Sequence, residues 1–77
     1  MLQAHVVHAI PGRARIKLPA RRGDGLFFSQ LEDFLRRCPG VAEVHSNSRA
    51  ASALIAFAEH GNLDRLATYA RKHRVFR

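Results

Sequence analysis

From Arg13 to Leu18 the chain alternates without a break, with Arg13, Arg15 and Lys17 on one side and Ala14, Ile16 and Leu18 on the other. A period of two is the signature of a strand with one face against a core and the other facing outward. Whatever fold the chain adopts must therefore supply an apolar layer under Ala14, Ile16 and Leu18 and leave a row of cations on the opposite face. Residues 4–10, AHVVHAI, are also strand-like, but Pro11 has no amide hydrogen to give to a neighbouring strand. Either the strand proper starts near Arg13, or one ribbon bends at Pro11 and Gly12 and exposes part of its edge beside the bend.

Downstream segments provide the cover. ARRGDG, residues 20–25, is a loop in which Asp24 can cap a helix. Over Leu26 to Cys38, the positions Phe27, Leu31, Phe34, Leu35 and Cys38 recur at helical spacing, and Pro39-Gly40 ends the run. The pairs Glu32 with Arg36 and Asp33 with Arg37 have the favourable acid-before-base order and are expected on the solvent side. Val41 to Ser46 reads as a strand with Val44 inward, and SNSRA as a turn. Ala51 to Ala58 reads as a strand with Ala53, Ile55 and Phe57 on one face. Asn62 caps a second helix whose buried stripe is Leu63, Leu66, Ala67 and Ala70, leaving His73 to Arg77 for a stub of a last strand. Strand, helix, strand, strand, helix, short strand is the ferredoxin-like βαββαβ order. The fold class expected is thus α+β, a four-stranded antiparallel sheet of order 4-1-3-2 with both helices on one face.

Charge and cysteine usage narrow the function classes. The 77 residues form one domain, and a net charge of +7 will attract something anionic. All the cations except Lys17 and Lys72 are arginine, a bias that base composition also produces, so charge alone does not argue for nucleic acid. A single cysteine, Cys38, excludes an internal disulfide and fits a reducing compartment. The N-terminus lacks the pattern of a secretory signal, and ASALIAFA is too short to span a membrane, so a soluble cytoplasmic protein is expected.

Three local patterns coincide with this element order: HxxPGRxR at residues 8–15, PGVxxV at residues 39–44, and NSRAASALIAF leading out of the second turn. Together they resemble the heavy-metal-associated domain superfamily over roughly residues 5–72. The likeness is to the branch without the usual cysteine pair, found at the N-termini of some metal-transporting P-type ATPases and as small free-standing proteins. In the metal-carrying branch the loop after the first strand holds two thiolates for soft ions. The matching loop here, ARRGDG, has no thiol and no imidazole. The resemblance implies the scaffold and an association with metal transport, with a P-type ATPase or related metal-handling protein as partner. It implies neither a cofactor nor a bound ion at that loop.

Candidate site residues follow from the same positions. Arg13, Arg15 and Lys17 form a docking surface for carboxylates or phosphates, because three like charges on one strand face repel unless a partner neutralises them; Glu43 and His45 share that face as potential internal partners. Pro11 and Gly12 set the strand's bend. His5 and His8, three residues apart, fall on opposite faces of a regular strand and do not chelate one ion unless the backbone turns. An unconventional metal site from His5, His8, Cys38 and His60 is an alternative, since the topology brings their elements to one end of the fold. A nucleic-acid interface is a further alternative, electrostatic only, because the central strands offer no outward aromatic for base stacking. No catalytic constellation is defensible, so the expectation is a non-enzymatic interaction or regulatory module that self-associates or docks through an exposed strand edge.

Overall fold

The Pro11-Gly12 pair reverses the chain instead of bending it. In the computed structural model, which describes residues 2–77, β1 (His5–Ile10) runs out and β2 (Arg13–Lys17) runs back beside it, antiparallel, with Ile10 paired to Arg13. Gly12 has φ of +82°. Proline followed by a residue of positive φ is the type II turn sequence, which glycine adopts without a Cβ penalty. Proline's missing amide is harmless at that corner, and the carbonyl of Gly12 is used, accepting the amide of Phe57 at 2.9 Å. The strand carrying the cations therefore starts at Arg13, and the alternative of one bent ribbon is corrected to two strands.

After a 3-10 turn at Pro19–Arg21, helix α1 (Gly25–Arg36) starts on Asp24, whose side chain accepts the amide of Phe27 at 2.9 Å. Strands β3 (Val41–Asn47) and β4 (Ser52–Phe57) form the second hairpin. Helix α2 (Leu63–Lys72) starts on Asn62, whose side chain accepts from the amide of Arg65 at 2.9 Å. All pairings are antiparallel and the sheet order is β1-β2-β4-β3. The expected βαββαβ element order is corrected to ββαββα, with no strand among the described residues after α2, and the expected sheet order 4-1-3-2 changes with it. The edge position beside Arg13–Lys17 belongs to the N-terminal strand and not to residues 73–77. The C-terminal residues instead tie down the start of the chain. Arg77 accepts from the amide of Ala4 at 2.6 Å and donates to the carbonyl of Leu2 at 2.9 Å, and Phe76 is buried.

One core lies between the sheet and the helices. Ile16 and Leu18, Val44, Ala53 and Ile55 meet Phe28, Leu31 and Leu35 of α1 and Leu66 and Ala70 of α2 in a single buried cluster. The opposite sheet face is uncovered. Two helical details differ from the periodicity. Phe28, not Phe27, is the fully buried aromatic of α1, and Ala67 of α2 is exposed while Tyr69 packs on Phe34 with ring centroids 4.8 Å apart. At the far end of the core two glycines touch through their backbones. A Cβ on Gly61 would stand 2.0 Å from the carbonyl oxygen of Gly40, and Gly40 has φ of +91°.

Candidate functional site: the open face of the sheet

The strand registers arrange the uncovered face in three rows. Ile10, Arg13, Ala56 and Glu43 cross the sheet in the first; His8, Arg15, Leu54 and His45 in the second; His5, Lys17, Ser52 and Asn47 in the third. The cations thus occupy an interior strand, flanked on one side by β1 and on the other by β4. Arg13 and Arg15 are exposed and Lys17 half-buried. Among the described residues no carboxylate lies within salt-bridge distance of any of the three. Glu43, the one acid in those rows, contacts His45 at 3.7 Å, and the other ion pairs belong to the loops and to α1. The internal neutralisation that would have made this a self-satisfied surface is not present.

The two edges of the sheet are finished differently. At the β3 edge, Arg36 of α1 donates to the carbonyl of Val44 at 3.1 Å, and Glu32 accepts the amide of Ser46 at 3.2 Å and also its hydroxyl. Glu32 and Arg36 pair at 2.8 Å while doing so. The expected solvent-side ion pair is therefore a cap on strand backbone, with Glu32 drawn in from the surface. The Ser46 hydroxyl and amide, helped by Arg36 and His45, hold the Glu32 carboxyl below the usual glutamate value against the opposing effect of burial. The expected second pair, Asp33 with Arg37, is also displaced: Asp33 meets Arg36 at 3.6 Å.

At the other edge all six residues of β1 are exposed, and beyond the Ala4–Arg77 contacts its outer side has no backbone partner among the described residues. The exposed edge expected beside the Pro-Gly break is real but belongs to His5–Ile10, since β1 itself covers Arg13–Lys17. The register of β1 shifts between Val6 and His8, a bulge with Val7 as the extra residue. One inserted residue reverses the alternation. It puts His8 opposite Arg15 and leaves His5 opposite Lys17, so the two imidazoles share the open face instead of lying on opposite faces as a regular strand would place them. Sequence spacing carries no sign of a bulge here, so periodicity alone could not place these two side chains.

The alternative metal set is not assembled. Cys38 is buried in the core, where desolvation raises its thiol pKa, while His5 and His8 lie on the outer face and the exposed His60 imidazole lies 3.6 Å from the Glu59 carboxylate. No group of three or more metal-ligating side chains forms among the described residues. Phe57 packs against the core, so the open face also lacks the aromatics that base stacking needs.

No protein-family model matches the chain, and neither a curated protein nor a solved structure matches it. No described helix is long and apolar enough to cross a membrane.

Proposed function

We propose that this is a non-enzymatic interaction module, a two-helix, four-stranded antiparallel α+β scaffold that docks an acidic protein surface on its open sheet face through Arg13, Arg15 and Lys17. The observation that carries the proposal is the unpaired cation row on an interior strand of an uncovered face. Residues 2 apart on a strand face stand about 6.6 Å apart, close enough for unneutralised cations to repel in every conformation the strand allows. Retaining that repulsion makes physical sense when a partner's carboxylates remove it. Guanidinium forks suit this role because they grip a carboxylate with two parallel hydrogen bonds.

The likeness of HxxPGRxR, PGVxxV and NSRAASALIAF to cysteine-less heavy-metal-associated domains puts the partner among metal-transport proteins, such as a P-type ATPase. Regulation or assembly of such a system requires no ion on this chain. The test is the double variant Arg13→Ala, Arg15→Ala. Both side chains are exposed, so its circular dichroism and melting curve should match the parent while capture of the partner in pull-down is lost. Undiminished capture would refute the docking role. The electrostatic nucleic-acid interface is the rival reading. It is tested by mobility shift across a salt series, and calorimetric titration with Fe(II), Zn(II) and Cu(I) should give no stoichiometric uptake.

A further inference from the structure

The cation row is not uniform along its length. At the Lys17 end its neighbours are His5, Ser52 and Asn47, all polar. At the Arg13 and Arg15 end the sheet forms a bowl of about 520 Å³ lined by Val7, His8, Ile10, Arg13, Arg15 and Leu54. The bulge creates it, because Val7, the residue that a regular strand would turn to the other side, lines the bowl together with His8. Ile10 and Val7 are 50% and 49% exposed. Apolar side chains and unpaired guanidiniums therefore line the same bowl.

We infer that the bowl seats an apolar side chain of the docking partner, so that the recognised segment is acidic and carries a large aliphatic residue next to its carboxylates. Charge complementarity chooses the acidic partner. The apolar walls choose the aliphatic residue, whose contact with Val7, Ile10 and Leu54 removes apolar area from water on both sides. Its flanking carboxylates then fall over Arg13 and Arg15, where the expulsion of water strengthens each ion pair. Leu54 lies partly buried, paired across the sheet with Arg15 and His45, and lines a concave bowl together with the half-exposed Val7 and Ile10. A recess fits a protruding side chain, whereas an anionic bilayer needs apolar groups that project.

This inference rests on the docking proposal, and the experiment separates their failures. Fluorescence anisotropy is measured with three ten-residue peptides: glutamates with two central leucines, the same with serines for leucines, and lysines with leucines. The expected result is that the acidic leucine peptide binds about tenfold more tightly than the serine peptide, the effect of burying roughly half of one aliphatic side chain. In Val7→Ser, Ile10→Ser the two acidic peptides should become equal while the salt dependence of both is kept. Arg13→Ala, Arg15→Ala should weaken both and flatten the salt dependence. Equal binding of the two acidic peptides by the parent protein overturns the aliphatic recognition and leaves acidic docking standing. Failure of both acidic peptides overturns the two together. Tighter binding to phosphatidylserine vesicles than to any peptide, lost in the Val7, Ile10 variant, overturns the inference in favour of a lipid surface.

Discussion

Gly61 and Glu32 show how much can rest on single residues in a chain of this size. The backbones at Gly40 and Gly61 approach so closely that a methyl group has nowhere to go, since the atoms it would meet are main chain. Gly61→Ala should therefore cost about 1–3 kcal/mol, read as a lowered urea midpoint with unchanged slope. Gly12→Ala has open space around its Cβ and would register only the strain of positive φ. Glu32 links stability to pH. Its carboxyl pKa is lower in the folded protein than in the unfolded chain, so its contribution is complete above the ordinary glutamate value of 4.5 and disappears as pH falls through the lower folded value. Urea midpoints should drop more between pH 6 and pH 3 in the parent than in Glu32→Gln. A parallel drop in both would show that the Ser46 contacts carry no such linkage.

At the level of elements, the most legible parts were those whose signals are local. Asp24 and Asn62 cap the helices as their side chains suggest, and Pro39-Gly40 ends the first. Arg13 to Leu18 faces as its alternation requires, because a half-buried strand cannot slip by one residue without putting Ile16 in water. The errors came where one residue has two structural uses. Proline forbids a ladder bond on an interior strand but also suits the corner of a turn, and Pro11 does the second. Val7 changes the facing of everything before it through a bulge that no composition rule announces. The candidate cations were thus found from sequence, whereas the bowl beside them was not. Because β1 contributes no side chain to the buried core, Ile10→Ser should leave the melting temperature within a few degrees, while Ile55→Ala should lose about 2–5 kcal/mol. A large loss from Ile10→Ser would mean that β1 is integral to the core.

For the molecule as a whole, the uncovered face and the bare side of β1 set how it meets others. Unsatisfied strand backbone recruits other strands, but a bulge and the Ala4–Arg77 contacts interrupt this one and limit how much of it is available. Self-association should therefore be weak and appear only at high concentration, measurable by sedimentation velocity, with Val6→Ser or Ala9→Ser reducing it. On the β3 side, Arg36 and Glu32 already take the Val44 carbonyl and the Ser46 amide. A fibre needs two open rims so that each added subunit offers a fresh one; here the protein's own helix already holds backbone groups of the second rim at Val44 and Ser46, which works against growth past a head-to-head pair.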